Sequence, residues 1–179
     1  MRSFRKIIGE RLYLSPFDAD DTDVYTKWAE WMNDKTVAEY YGGYQNLVSP
    51  ANAKKTLESL QGYRFAVILL EGDTFIGHIS LHDADHINRN AFLGIFIGDE
   101  EYRSKGYGAE AIRLVLNYGF NTLNLNNIML SVHSDNTAGI SCFKKVGFHD
   151  AGRRREWKFK DGKYVDVMYM DFLAREFGV

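Results

Sequence analysis

The sequence predicts a mixed α/β (α+β) fold built on one mostly antiparallel sheet of about seven strands flanked by about four helices. Two observations carry that expectation. Short apolar runs bounded by turn residues recur at 64–70, 75–81, 91–97 and again from 127, in an order that reads as hairpins and a meander. Around them lie segments whose apolar residues recur at helical spacing, among them Val24, Tyr25, Trp28 and Trp31. A chain of 179 residues is long enough to bury a substantial core as one domain, taken here as 1–179.

The elements follow in order. Residues 10–14 alternate polar and apolar before Pro16 and suit a short strand. Asp18 or Asp20 is expected to cap the first helix, whose aromatic face turns inward. Glu39 to Tyr44 is an aromatic loop holding Gly42 and Gly43, and Ser49-Pro50 starts a second helix with Ala53, Leu57 and Leu60 on one side. Residues 64–82 read as a hairpin around Glu71-Gly72-Asp73, and Ala91–Ile97 is the next strand. A helix of about 14 residues follows Gly108, with Glu110, Arg113, Asn117 and Asn121 on one polar stripe. Asn127–His133 is a strand, and Asp135 or Asn136 caps a short helix that stops at Gly147. Two strands joined at Asp161-Gly162 complete the chain.

Composition narrows the function classes. Hydrophobic residues at 45%, charged residues at 26% and aromatics at 15% describe a folded globular chain. A net charge of -2 offers no global attraction to nucleic acid or an acidic membrane, and no apolar run approaches the roughly 18 residues of a span. Residues 1–8 lack the apolar core of a secretory signal, and Cys142 as the only cysteine excludes an internal disulfide, so a cytoplasmic location is expected. The charge is unevenly placed. From 102 to 160 ten Lys and Arg face four acids, whereas from 71 to 101 seven acids face only Arg89, so an anionic ligand favours the later half.

Within that later half lies Arg103-Ser104-Lys105-Gly106-Tyr107-Gly108, between a strand and a helix. A glycine-containing turn at that junction leaves backbone N–H groups aimed at one point with the positive end of the helix dipole behind them, which makes an anion site. Gly106, Gly108 and Ala111 match the dinucleotide-binding G-x-G-x-x-A pattern, but Gly98–Lys105 separates strand from turn and no acid follows at the required distance.

The R-x-x-G-x-G stretch, the helix after it, a strand and then Asn136 to Phe148 together resemble the GNAT acetyltransferase superfamily. Within it the chain is similar to the branch holding ribosomal-protein N-terminal (RimJ/RimL-like) and spermidine acetyltransferases. The resemblance implies acetyl-CoA as co-substrate, no metal, and an amine acceptor: a peptide N-terminus, a polyamine or another small amine. It implies that backbone groups of Ile95, Phe96 and Ile97 align the pantetheine arm like an added strand. It further implies that Arg103, Ser104, Lys105, Gly106, Tyr107 and Gly108 hold the pyrophosphate. Asn136 matches a position that bonds the pantetheine and is equally a helix cap; Lys144 and Lys145 read either as surface lysines or as contacts to the 3′-phosphate.

Acetyl transfer to an amine needs a neutral nucleophile, an oxyanion site and a route for the departing thiolate. Many relatives carry a tyrosine acid at the position of Phe143 beside the cofactor, and a glutamate at that of Phe92; neither phenylalanine transfers a proton. Ser141, Tyr107 and Tyr164 are the alternative donors. Asp83, His82 and Glu39 are the candidates for the base, and Glu39 with Tyr40, Tyr41 and Tyr44 could enclose a cationic amine. Cys142 would need a paired histidine to act as a nucleophile and reads instead as a small helix-face residue, while His78 and Asp166 read as structural. The same two phenylalanines motivate the other reading, a catalytically silent acyl-CoA-binding module. Exposed β-edges in such architectures often pair, so a homodimer is a further expectation.

Overall fold

The computed structural model describes residues 3–18, 20–41, 43–59 and 62–178, so Met1, Gly42 and Leu60 of the sequence reading lie outside the described residues. The strands are β1 (Ile7–Ile8), β2 (Leu12–Ser15), β3 (Tyr63–Leu69), β4 (Phe75–Asp85), β5 (Asn90–Ile97), β6 (Asn127–His133), β7 (His149–Lys160) and β8 (Lys163–Leu173). The helices are α1 (Thr22–Asn33), α2 (Lys35–Ala38), α3 (Pro50–Ser59), α4 (Tyr107–Asn117) and α5 (Thr137–Val146). All eight strands form one sheet in the order β1-β2-β3-β4-β5-β6-β8-β7, antiparallel throughout except for the parallel pair β5–β6.

The expected architecture is present, with an added strand and an added helix. Strand β1 pairs only Ile7 with Leu14 and Ile8 with Tyr13, and α2 is a single turn, so neither is long enough to leave a periodic signal. The cap of α1 is Asp21, which accepts from the Asp23 N–H, instead of Asp18 or Asp20. Ser49 Oγ accepts from Asn52 N at 3.1 Å ahead of Pro50, as the helix-start pattern requires. Asp161 and Gly162 both take positive φ, 47° and 80°, the conformation that lets a two-residue turn follow the twist of its strands.

Alternation along the strands sends residues to opposite faces. One face carries Phe65, Val67, Ile79, Leu81, Leu93, Ile128 and Leu130 and is covered by α4 through Ala111, Ile112, Val115 and Leu116. The other face presents Phe96 and the buried His78 to an aromatic layer from α1 and its neighbours, including Tyr25, Trp28, Trp31, Val37 and Tyr41. Each such side chain, fully buried, contributes about 1.5–3 kcal/mol. At the end of β5 a Cβ on Gly98 would fall inside the Trp31 indole, which is why the strand can pass under that ring only with glycine. The Trp31 Nε1–H donates to Asp99 Oδ1 at 2.9 Å and pins the ring there.

The feature that positions the site is where pairing stops. Strands β5 and β6 are in register only at Asn90–Asn127, Ala91–Ile128 and Phe92–Met129. Beyond that, β5 continues to Ile97 on its β4 partner and β6 to His133 on its β8 partner, so the two strands part and leave backbone groups facing a gap.

Candidate active site

The gap opens into a cleft of ≈ 1080 Å³. Its floor is Leu93–Ile97 on one side and Leu130–His133 on the other, with the loop 103–108 and the start of α5 above one face and α2 with the β7 edge above the other. Ile95, Phe96, Ile97, Arg103, Ser104, Gly106, Gly108, Asn136, Ser141 and Phe143 all line it. The sequence-predicted donor residues are therefore brought together, with Lys105 and Tyr107 as exceptions.

The loop owes its shape to two left-handed residues, Ser104 (φ 59°) and Gly106 (φ 86°). Gly106 caps α4 without a side chain, so among the described residues the N–H groups of Tyr107, Gly108 and Ala109 have neither a carbonyl nor a capping oxygen. Gly108 faces the cleft, where an added Cβ would meet only Ile97 Cγ1 at 3.9 Å and Ile95 Cδ1 at 4.0 Å. Unpaired N–H groups behind a glycine wall fit a diphosphate.

The Arg103 side chain does something other than expected. Its Nε donates to Ile97 O at 3.1 Å, its Nη1 to Thr36 Oγ1 at 3.1 Å, and its Nη2 to Gly98 O. These bonds tie the loop to the end of β5 and leave the guanidinium committed to neutral acceptors. A second arginine, not singled out in the sequence, holds the loop from behind. Arg11 donates from its backbone N and Nε to Glu110, both at 2.8 Å, and from Nη1 to Lys105 O at 3.0 Å, with its guanidinium 4.7 Å from the Tyr107 ring centroid. Burial raises the Glu110 pKa, and the Arg11 hydrogen bonds and charge outweigh it, so the carboxyl sits below its ordinary value. Tyr107 is thereby fixed against Arg11 and Tyr102, outside the cleft, and Tyr164 is exposed on the β7–β8 hairpin; neither replaces the tyrosine that Phe143 lacks.

On α5, Asn136 Oδ1 accepts from Gly139 N at 2.9 Å and caps the helix while its side chain borders the cleft. Ser141 is exposed to the cleft, and among the described residues no base bonds its hydroxyl. Phe143 packs edge-on against Phe148. Burial pushes the Cys142 thiol up, which is the state of a packing residue. Lys144 is paired with Asp150 at 3.0 Å, whereas Lys145 faces the cleft.

On the other side of the cleft, β4 and the turn after α2 meet at Gly94 of β5, whose Cβ would lie 3.5 Å from His82 Cε1 and 3.6 Å from Tyr41 Cε2. Burial holds His82 below its ordinary value, with the Arg64 charge adding to that effect. The ring stacks on Phe92. Tyr41 is half-buried, its hydroxyl 2.8 Å from His78 Nδ1, and the withdrawal of that hydroxyl from water raises its pKa to about 12. Asp83 is placed differently from the expectation. A bulge in β4 between His82 and Asp85 puts it at φ 50° with its side chain 80% exposed, bordering a separate hollow with Gly62 and His86. Its Oδ2 lies 3.9 Å from Nε2 of His82, whose ring borders the cleft.

Of the residues expected to enclose an amine, Glu39 and Tyr40 come together, around the chain's own Lys160. Lys160 Nζ, from the end of β7, donates to Asp135 Oδ2 at 2.7 Å and Tyr40 Oη at 3.1 Å, lies 3.3 Å from Glu39 Oε1, and sits 4.3 Å from the Tyr40 ring centroid. Glu39 is thus a structural partner of Lys160, while Tyr41 belongs to the aromatic core and Tyr44 is exposed. Among the described residues no group of three or more His, Cys, Asp or Glu could hold a metal, and no helix is long and apolar enough to cross a membrane.

Comparison with known proteins places this geometry. A family model described as acetyltransferase (GNAT) domain matches residues 11–149. The uncharacterized N-acetyltransferase p20 of Bacillus licheniformis is 29% identical over 175 residues, 94% of this chain and 96% of that protein. The spermidine N(1)-acetyltransferase of Escherichia coli strain K12 is 30% identical over 117 residues, 65% of this chain and 62% of that protein. A crystal structure of spermidine N-acetyltransferase from Vibrio cholerae in complex with CoA and spermine superposes with a TM-score of 0.81 at 24% identity, covering 94% of this chain and 99% of that one.

Proposed function

Because this chain belongs to the GNAT acetyltransferase family, we propose that it transfers an acetyl group from acetyl-CoA to a primary amine by direct attack within a ternary complex. The acceptor classes are a peptide N-terminus, a polyamine or another small amine; one relative is named a putative ribosomal N-acetyltransferase and another a spermidine N(1)-acetyltransferase. The observation that carries the reading is the parting of β5 and β6 next to the unpaired N–H groups of α4, which provides main-chain partners for an extended arm and an anion site at its end.

In this reading Ile95, Phe96 and Ile97 offer backbone groups to the pantetheine arm. The N–H groups of loop 103–108 hold the pyrophosphate, with Arg103 and Arg11 shaping the loop. Asn136 and Phe143 border the arm on the α5 side. Bound acetyl-CoA supplies an acetyl group already activated as a thioester. The acceptor must arrive as a neutral amine, and His82, an imidazole kept neutral by burial at the edge of Gly94, is the group that takes its proton. Ser141 is the cleft hydroxyl on the α5 wall nearest in role to the missing tyrosine, although a thiolate leaves without strong assistance.

Incubation with acetyl-CoA and a panel of peptides, polyamines, amino acids and amino sugars, read as free thiol, tests the proposal. Thiol release no faster than in buffer, together with tight CoA binding, would instead establish the silent acyl-CoA-binding module that Phe143 motivates.

A further inference from the structure

Conversion of an ammonium into an amide strips two protons from one nitrogen, and His82 accounts for the first only. The cleft is bordered by a second imidazole, His133. Strand pairing puts both rings on one face of the sheet. His82 is opposite Phe92 of β5, Phe92 is opposite Met129 of β6, and alternation carries that face on through Ser131 to His133. The parting of β5 and β6 therefore runs between the two rings. Nδ1 of His133 is buried and, among the described residues, has no hydrogen-bond partner. The same holds for Oε2 of Glu39 and Oδ1 of Asp135, the two carboxylates whose charge acts on the ring. The other oxygen of each faces Lys160, and the Tyr40 ring meets the imidazole edge-on with centroids 5.8 Å apart. Burial and the charges of Lys158 and Lys160 outweigh the two carboxylates and hold His133 below its ordinary value, so the ring is uncharged at neutral pH and able to accept a proton. Carboxylates on the Nδ1 side favour the tautomer with its proton there, which leaves Nε2 as the acceptor and steadies the imidazolium once formed.

We propose that His133 is a second catalytic residue of the acetyl transfer, whose Nε2 takes the proton that the nitrogen still carries once the C–N bond has formed and returns it to the CoA sulfur as the C–S bond breaks. The proposal rests on the amine-transfer reading above and adds a residue to it. Nitrogen and sulfur are at that moment bonded to the same carbon, so an imidazole that reaches one reaches the other. The balance closes. One C–N and one S–H bond form, while the C–S bond and two N–H bonds break. The electron pair of the C–S bond leaves on sulfur, which takes the proton from His133, and the proton held by His82 passes to water. This route also covers the absence of a tyrosine at Phe143. Ser141 is a hydroxyl with no base bonded to it among the described residues, whereas an imidazole both accepts and donates a proton near neutral pH.

The test compares the full chain with His133→Gln, using acetyl-CoA and the best amine of the panel, read as free thiol across the pH range in which imidazoles titrate. The expected result is a kcat lower by about a hundredfold or more with both KM values within about threefold, and an acid limb of kcat that loses one ionisation. Imidazole added to His133→Ala restores part of the lost rate, a response that a packing defect does not give. A readout apart from turnover is the ring C–H resonance of His133, assigned by its absence from the variant, which shifts when CoA and the N-acetylated product are added. A parental kcat or an unchanged pH profile in His133→Gln, or a ring resonance that neither ligand moves, overturns the proposal and leaves amine transfer standing. Absence of turnover by the parent chain with every amine overturns the transfer reading and this assignment together. Should His133→Gln fail to fold, as its thermal melt shows, His133→Asn serves in its place with the same expected and refuting results.

Discussion

Lys160→Met isolates the ion network at the rim of the cleft, because methionine keeps an apolar stem while removing the ammonium. Lys160 is 16% exposed, and its partners Glu39 and Asp135 are 18% and 29% exposed, so water screens the cluster only in part. Burial opposes the charge on Lys160, yet its hydrogen bonds to Asp135, Tyr40 and Glu39 raise its pKa well above the ordinary lysine value, so it is charged at any physiological pH. Breaking a buried pair costs about 3–5 kcal/mol, and discounting for the partial exposure of all three groups leaves about 2–4 kcal/mol. For a domain of this size each kcal/mol moves Tm by about 2–4 °C, so the midpoint should fall by about 4–16 °C. Thermal melts of Lys160→Met, Glu39→Gln and the double variant form the cycle, with an expected coupling of about 1–2 kcal/mol. A Tm within about 2 °C of the parent, or two additive single substitutions, would refute the claim that Lys160 holds α2, the β6–α5 turn and the β7 edge together.

Gly108→Val should leave the fold intact, since its first added carbon meets only Ile95 and Ile97 at van der Waals distance, yet fill the cleft wall and weaken CoA binding about tenfold or more; an unchanged titration would remove the loop from the donor site. Gly98→Ala forces the Trp31 indole out of its seat and breaks its bond to Asp99, so a loss of about 3 kcal/mol or more in urea unfolding is expected, and a loss below about 1 kcal/mol would contradict the packing. Burial holds His78, His82 and His133 below the ordinary 6.5. The unfolded chain therefore takes up protons first as pH falls through that value, and stability present above it is lost on acidification. The unfolding free energy should drop between about pH 7 and about pH 5, by up to about 1.4 kcal/mol per pH unit for each histidine, and the urea midpoint with it; a midpoint that holds or rises would refute it.

Sequence and structure agree most closely where information is local. The Ser49-Pro50 start, the Asn136 cap, the Asp161-Gly162 turn and the inward face of α1 are set by neighbours within a few residues, and each appears as read. The glycine loop ahead of α4 is legible for the same reason: left-handed φ and unpaired helix N–H groups are properties of the chain segment itself. The sequence by itself therefore determined the fold class, the glycine loop ahead of α4 and the family resemblance. Only the tertiary structure decided what the ionisable side chains do. Arg103 turned to carbonyls at the end of β5, Arg11 reached Glu110 from 99 residues away, and Lys160 paired with Glu39, a residue expected to face an incoming amine. Asp83 was sent outward by one extra residue in a bulge, leaving His82 in the cleft. Long charged side chains find their lowest energy in partners brought close by sheet pairing and loop closure, and the chain sequence carries no local mark of which partner that will be.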